Sequence, residues 1–157
     1  MSYKWNTRTE LLLGAERMEY LSHCHVLVVG LGGVGAYAAE QICRAGIGHM
    51  TIVDADTVND SNINRQLPAL HSTLGMQKAE VVGQRLLDIN PRLKLTILNE
   101  FLRDERTEEV LSAQKYDFIV DAIDSLSPKA YLLYHAYRRE IPIVSSMGAG
   151  AKIDPSQ

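Results

Sequence analysis

The stretch HVLVVGLGGVG, residues 25–35, decides the fold of this chain. Its first half is an apolar, mostly β-branched run that favours a buried strand. Its second half matches the pattern G-x-G-x-x-G at Gly30, Gly32 and Gly35, with an extra glycine at position 33, and a small-residue helix is predicted directly after it. We expect Gly30 to permit a tight turn and Gly35 to let the helix pack closely on the strand. Gly32 and Gly33 would let backbone N–H groups approach a phosphate at the helix N-terminus.

Outward from this turn, apolar runs alternate with amphipathic segments along the whole chain. The runs show little polar alternation, which is typical of a parallel sheet covered by helices on both faces. We therefore predict an α/β fold, a Rossmann-like, doubly wound and mainly parallel sheet that binds ligands at the carboxyl ends of its strands. The predicted strands are 25–30, 49–56, 94–98, 116–124 and 141–146, and the predicted helices are 9–21, 33–45, 76–88, 104–113 and 128–139. Ser127 and Pro128 are expected to cap and to begin the last helix.

Length and composition indicate a single globular domain. The chain has 157 residues, 46% of them apolar and 22% charged, and its formal net charge of −3 does not favour a nucleic-acid surface spread over the whole molecule. No apolar run is long enough to span a bilayer, and the polar N-terminus lacks the apolar core of a signal peptide. Two distant cysteines form no disulfide framework, so we expect a reducing, cytoplasmic compartment. The chain stops on a polar turn just after a predicted strand, and we expect the natural protein to continue beyond residue 157.

Acidic residues follow the second predicted strand. Asp54 lies nineteen residues after Gly35, at a strand's carboxyl end, where an acid accepts hydrogen bonds from ribose hydroxyls. Asp56 is expected to be structural, either capping the loop or orienting a basic partner. The glycine motif and Asp54 alone do not choose between NAD, FAD and ATP.

Four further residues favour ATP with magnesium. Arg65 can clamp phosphate oxygens with its planar guanidinium, and Lys78 supplies a compact positive charge. Asp124, at the end of the fourth predicted strand, can hold Mg²⁺, which binds few carboxylates together with phosphates. Asn62 precedes Arg65 in the same loop. Taken singly, Arg65 also fits a surface ion pair and Lys78 a solvated helix charge, so the prediction depends on the ordered set.

The segments GLGGVG, VDADTV, NINRQ, LGMQKAE, INP and DAIDS resemble the ubiquitin-activating-like adenylation superfamily, which includes the ThiF and MoeB proteins. The resemblance covers nearly the whole chain and implies that residues 1–157 are an ATP-binding adenylation domain. It also implies a homodimer, in which Arg8 reaches the nucleotide of the neighbouring subunit; a solvated tail residue is the alternative for Arg8. By this resemblance Gly33, Asp54, Asn62, Arg65, Lys78 and Asp124 would contact Mg-ATP, with Asp124 on the metal. The full set of residues predicted to bind the nucleotide also includes Gly30, Gly32, Gly35 and Ser125. The residues predicted to act in catalysis are Arg8, Arg65, Lys78 and Asp124.

Within that superfamily, DAIDS followed by PK, together with GAGAKIDPSQ, is most similar to the tRNA threonylcarbamoyladenosine dehydratase branch. This resemblance implies an ATP-dependent dehydration of threonylcarbamoyladenosine in tRNA. The side-chain carboxylate would be activated by adenylation or by phosphorylation, and a carbamoyl nitrogen would then close a ring.

Three other functions stay open at this point. The first is an adenylyltransferase for a ubiquitin-like sulfur-carrier protein, which would require zinc cysteines beyond residue 157. The second is an NAD-dependent oxidoreductase, which leaves Arg65, Lys78 and Asp124 without a role. The third is a non-catalytic scaffold with a degenerate nucleotide site.

Overall fold

A computed structural model describes residues 4–147, so the predictions for residues 1–3 and for GAGAKIDPSQ, residues 148–157, lie outside the described residues. The described part forms a five-stranded parallel sheet with helices packed on both faces. The prediction of a Rossmann-like α/β fold is therefore confirmed. In chain order the elements are α1 Thr7–Leu13, α2 Ala15–His23, β1 His25–Val29, α3 Gly35–Ala45, β2 His49–Val53, α4 Lys78–Ile89, β3 Lys94–Leu98, α5 Glu105–Ala113, β4 Phe118–Asp121, α6 Leu126–Arg138 and β5 Ile143–Ser145.

The strand order in the sheet is β3-β2-β1-β4-β5, and every neighbouring pair is parallel. The chain therefore runs outward from β1 through β2 to β3 and then returns to the other side of β1. The point where the direction reverses lies between β1 and β4, and a crevice at the carboxyl ends of such strands is the usual ligand position in this class of sheet.

Strand β1 is buried along its whole length and separates two apolar layers. Val26 and Val28 belong to the layer with α3 and α4, whereas Leu27 and Val29 belong to the layer with α5 and α6. This alternation follows from the two-residue period of a strand. Ala36 and Ala39 of α3 are fully buried, so the small residues of that helix bring its backbone close to the sheet.

The structure corrects several predicted boundaries. Residues 9–21 do not form one helix, because Gly14 adopts a φ of 82° and separates α1 from α2. The N-cap of α6 is Ser125 and not Ser127, so Pro128 lies within the first turn, where its missing N–H costs no helical hydrogen bond. Strands β2 and β4 end three residues earlier than predicted, at Val53 and Asp121.

The shortened strands place the predicted acidic site residues in loops at the carboxyl edge of the sheet. Asp54, Asp56 and Asp124 all follow a strand instead of ending one. Across residues 4–147, no helix combines the length and the apolar character needed to cross a membrane.

Candidate functional site

A cleft of about 690 Å³ opens at the carboxyl ends of the strands. It lies between the glycine turn, the loop that follows β2, and the residues that follow β4 and β5. The structure therefore brings together segments that are far apart in the sequence. The predicted site residues that line this cleft are Gly32, Gly33, Asn62, Arg65, Lys78 and Asp124.

Two glycines of the turn are required by the packing of the protein itself. Gly30 has a φ of 87°, and a Cβ at this position would lie 2.7 Å from the carbonyl oxygen of Ala122. A Cβ on Gly35 would lie 1.7 Å from the carbonyl oxygen of Gly30. These two glycines shape the turn as predicted and do not line the cleft.

The other two glycines line the cleft and are not required by the packing of the protein. A Cβ on Gly32 would meet only the Gln66 side chain, at 3.6 Å from Nε2 at the closest, and a Cβ on Gly33 would approach the Arg65 carbonyl oxygen at 3.8 Å. Both distances are ordinary van der Waals contacts, and neither glycine has a positive φ. The fold alone therefore does not require glycine at these positions, whereas a ligand that approaches the backbone closely would.

Asp54 is used by the backbone around the site. Its Oδ2 accepts a hydrogen bond from Leu31 N at 2.7 Å, and its Oδ1 accepts one from Asp56 N at 2.8 Å. Burial raises the pKa of Asp54 above its ordinary value, and these two N–H donors oppose that rise. Each carboxylate oxygen keeps a second lone pair, so the predicted ribose contact stays compatible with this arrangement. Asp54 does not line the cleft, and its ribose role stays a prediction.

Lys78 is the first residue of α4 and is only 5% exposed, so it is not a solvated helix charge. Its Nζ donates to Asp56 Oδ2 at 2.9 Å, and its backbone N donates to the Asp56 carbonyl oxygen at 2.9 Å. Asp56 thus has the structural role predicted for it, as the partner of a basic residue. The pair ties the loop after β2 to the start of α4 and directs a cation to the wall of the cleft.

Arg65 and Asn62 lie in the loop between β2 and α4. Arg65 is exposed, and its Nη1 donates to the Ser61 carbonyl oxygen and to Asn64 Oδ1, both at 3.0 Å. Arg65 is thus held by two neutral oxygen atoms of its own loop. No carboxylate of residues 4–147 lies within 4.0 Å of Arg65 to form an ion pair. Asn62 Oδ1 accepts a hydrogen bond from Asn59 N at 3.1 Å, which stabilises the loop at its other end.

Asp124 lies in the exposed turn between β4 and α6 and lines the cleft. Ser125 Oγ donates to Asp124 Oδ1 at 3.2 Å, but Ser125 is not among the residues that line the cleft. No group of three or more His, Cys, Asp or Glu side chains able to hold a metal ion occurs within the part of the chain that the structure describes. Arg8 is exposed on α1 and does not line the cleft of its own subunit.

Some residues of the cleft were not assigned a role from the sequence. Gln66 lines the cleft, and its Oε1 is buried without a hydrogen-bond partner. Ser146 and Met147 enter the cleft after β5, and Ala122 and Ile123 enter it after β4. The sequence signal available for Gln66 was its place directly after Arg65; the other four have no distinctive pattern.

A second cavity, of about 520 Å³, lies at the opposite ends of the strands. His49, which begins β2, and Lys94, which begins β3, contribute to its lining. None of the predicted site residues lines it. We assign the site to the larger cleft, because parallel sheets bind ligands at the carboxyl ends of their strands.

Known proteins that resemble this chain include two bacterial dehydratases and one adenylyltransferase. The tRNA threonylcarbamoyladenosine dehydratase of Escherichia coli is 40% identical over 160 residues, which cover 100% of this chain and 59% of the relative. The dehydratase of Bacillus subtilis is 40% identical over 151 residues, covering 96% of this chain and 59% of the relative. The molybdopterin-synthase adenylyltransferase of Salmonella typhimurium is 33% identical over 139 residues, covering 88% of this chain and 54% of the relative.

The solved structures agree with the sequence comparison. The crystal structure of the E. coli dehydratase TcdA in complex with ATP matches with a TM-score of 0.93 at 40% identity, over 98% of this chain and 63% of that chain. This chain thus spans about three fifths of the length of these two bacterial dehydratases.

The family assignment does not depend on single relatives. The model of the ThiF family matches residues 3–155, and the resemblance inferred from the motifs is confirmed. The chain belongs to the ThiF family.

Proposed function

We propose that this protein catalyses the ATP-dependent cyclisation, by loss of water, of threonylcarbamoyladenosine in tRNA. One structural observation carries the proposal: a cleft at the carboxyl ends of the strands combines two sterically unconstrained glycines with Arg65, Lys78 and Asp124. The dehydratase relatives reach 40% identity, whereas the adenylyltransferase relative reaches 33%. One of the matched dehydratase structures contains ATP and another contains AMP.

The residues of the cleft fit a nucleoside triphosphate. Gly32 and Gly33 leave their backbone accessible at the start of α3, where N–H groups without helical partners favour phosphate. Arg65 and Lys78 supply the cations that a triphosphate needs beyond those N–H groups. Gln66 adds a buried acceptor, Oε1, that has no partner within the described chain and is suited to an amino or hydroxyl donor of a ligand. An NAD-dependent oxidoreductase leaves both cations of the cleft unexplained.

Asp124 is the residue that we propose to hold Mg²⁺. It is exposed, and only Ser125 Oγ contacts its carboxylate among the side-chain hydrogen bonds of residues 4–147. A single carboxylate suits Mg²⁺, which usually takes its other ligands from phosphates and water. The ion would neutralise charge on the phosphates when bound.

In the proposed reaction, a carboxylate oxygen of threonylcarbamoyladenosine attacks a phosphate of ATP, either the α-phosphate with loss of pyrophosphate or the γ-phosphate with loss of ADP. A carbamoyl nitrogen then attacks the activated carbonyl carbon and loses its proton to solvent. AMP or inorganic phosphate leaves with the former carboxylate oxygen, and the ring is closed. Arg65 and Lys78 stabilise the charge that develops on the transferred phosphate, and the cleft holds the two reactants in line. No side chain of the protein needs to form a covalent intermediate.

The proposal includes the assembly and the partners. A homodimer would bring Arg8 of one subunit to the nucleotide of the other, which fits the exposed position of Arg8 outside its own cleft. The macromolecular partner is tRNA that carries threonylcarbamoyladenosine, and the compartment is the cytoplasm.

The second candidate function is adenylation of the C-terminus of a ubiquitin-like sulfur-carrier protein. The observation that favours it is the 33% identity with molybdopterin-synthase adenylyltransferase, over 88% of this chain. Both functions use the same nucleotide cleft and differ in the carboxylate that is activated.

The test is the release of AMP or ADP from Mg-ATP by the full natural-length protein, with tRNA that carries or lacks threonylcarbamoyladenosine. We expect nucleotide release that requires the modified tRNA, with AMP indicating adenylation and ADP indicating phosphorylation. ATP binding without tRNA-dependent turnover would contradict the dehydratase function and favour the carrier-protein function. Binding of NAD in preference to ATP would contradict both.

A further inference from the structure

The carboxyl end of β4 contains a buried ion pair that none of the proposed nucleotide contacts uses. Lys129 Nζ lies 2.7 Å from Asp121 Oδ2, and the two side chains are 7% and 0% exposed. Asp121 is the last residue of β4, and Lys129 lies on the first turns of α6. A charged pair taken out of water in this way is costly to form unless further hydrogen bonds satisfy it, so its position calls for an explanation.

Asp121 holds the segment that follows β4. Its Oδ1 accepts a hydrogen bond from Ile123 N at 3.0 Å. This bond fixes the turn that leads from β4 to Asp124, and Ala122 in the same turn lies against Gly30 of the glycine turn. One wall of the cleft, residues 122–124, is therefore positioned by the Asp121 carboxylate.

Lys129 holds the segment that follows β5. Its Nζ donates to the Ser146 carbonyl oxygen at 2.9 Å and to Ser145 Oγ at 3.1 Å, and Ser145 Oγ in turn donates to Asp121 Oδ2 at 2.6 Å. Ser146 N donates to the Asp121 carbonyl oxygen at 2.8 Å. Both backbone polar groups of Ser146 are thus bonded to residues of this network, just where the chain enters the cleft.

We propose that Asp121 and Lys129 are positioning residues, which set the wall carrying Asp124 and the wall formed by Ser146 and Met147 relative to each other. The inference rests on the proposed use of this cleft for ATP-dependent activation of a carboxylate. Catalysis is sensitive to small displacements of positioned groups, and a buried, fully hydrogen-bonded pair would keep the two walls of the cleft in place. The pair acts through these backbone segments and does not touch the nucleotide itself.

The test separates positioning from general stability. Lys129→Met leaves the Asp121 carboxylate buried and unpaired, so we expect a lower midpoint of thermal unfolding. The double variant D121N/K129M contains no buried charge at this place, and the side-chain amide oxygen that D121N introduces can still accept the hydrogen bond from Ile123 N. We expect this variant to recover most of the midpoint, to bind ATP with a Kd within about threefold of wild type, and to keep a kcat reduced about 10- to 100-fold.

Glu40→Gln is the control, because the buried Glu40 of α3 forms an ion pair with the half-exposed Arg85 of α4, away from the cleft. We expect it to lower the midpoint and to leave kcat unchanged. The measurements are kcat, the Kd for ATP and the midpoint of the full natural-length protein, with the carboxylate substrate that supports turnover by wild type.

The outcomes are distinct. A double variant with wild-type midpoint and wild-type kcat would overturn the proposal, as would parallel losses of kcat and ATP affinity. If the double variant does not fold, Ser145→Ala is measured instead, because it removes only one hydroxyl group of the network. A reduced kcat with an unchanged Kd for ATP would support the proposal. An unchanged kcat would overturn it. Each variant is compared with wild type on the carboxylate substrate that supports turnover by wild type. A wild-type protein that does not act on the modified tRNA would therefore contradict the proposed tRNA function and not the positioning role of Asp121 and Lys129.

Discussion

Glycines 33 and 35 are two residues apart, yet we expect opposite consequences when each is replaced by alanine. A Cβ on Gly33 would make only an ordinary contact, at 3.8 Å from the Arg65 carbonyl oxygen, and Gly33 has no positive φ. Gly33→Ala should therefore fold normally, and the reduced freedom of the unfolded chain should change the free energy of unfolding by less than about 1 kcal/mol.

Gly33 lines the cleft, and in the proposed function its backbone N–H donates to a phosphate of ATP, so the added methyl group would hinder that contact. Loss of one backbone hydrogen bond to a charged group costs about 1.5–3 kcal/mol. We therefore expect the Kd for ATP to rise about 10- to 150-fold in Gly33→Ala.

Gly35→Ala provides the opposite case. Its Cβ would lie 1.7 Å from the carbonyl oxygen of Gly30 and 3.0 Å from the Ala122 side chain, so α3 would have to move away from β1 and β4. We expect a loss of at least about 3 kcal/mol of stability, the upper end of ordinary overpacking, because backbone atoms cannot rotate aside. At about 2–4 °C per kcal/mol for a domain of this size, the midpoint of unfolding should fall by at least about 6–12 °C.

Isothermal titration calorimetry with ATP and thermal unfolding followed by circular dichroism measure the two effects. Unchanged ATP affinity in Gly33→Ala, with an unchanged midpoint, would refute the inference that the open glycines face a phosphate. A stable Gly35→Ala would show that the close approach of α3 to the glycine turn is not required.

Three further predictions concern the cations of the cleft, the carboxylate proposed to hold Mg²⁺ and a buried histidine. Arg65→Ala and Asp124→Ala should each abolish ATP turnover and shift the unfolding midpoint little, because both residues lie in exposed loops; wild-type turnover in either variant would contradict the placement of the phosphates. Lys78→Met should weaken ATP binding about tenfold or more, because a charged hydrogen bond to the nucleotide is lost. The loss of stability should be modest, because the remaining Asp56 carboxylate is half-exposed and can be hydrated. An ATP affinity equal to that of wild type, measured by calorimetry, would show that Lys78 does not contact the nucleotide. Burial lowers the pKa of His25 below the 6.5 of the unfolded chain, so protonation favours the unfolded state. The free energy of unfolding, measured with urea at several pH values, should therefore be independent of His25 protonation above pH 6.5 and should decrease as the pH falls below 6.5. His25→Gln should make this decrease with falling pH smaller.

The sequence by itself determined the elements that depend on local pattern. The apolar run before the glycine turn, the small-residue helix after it and strand β3 at residues 94–98 are in the structure where their periodicity places them, apart from differences of a few residues at the ends. The roles of Gly30 and Gly35 also followed from the motif, because the steric demand of a strand–turn–helix connection is local. The split of the first predicted helix at Gly14 was missed, since an isolated glycine inside a helical pattern is often tolerated.

Only the tertiary structure decided how distant charges are paired. Asp56 meets Lys78 across 22 positions of sequence, and Asp121, Lys129 and Ser145 form one network across separations of 8 and 24 positions. No periodicity marks such pairs, because they arise where parallel strands and the loops that follow them meet at one edge of the sheet. The sequence singled out six of the thirteen residues that line the cleft as chemically suited to ATP, whereas the fold decided which residues face one another and which only hold the walls in place.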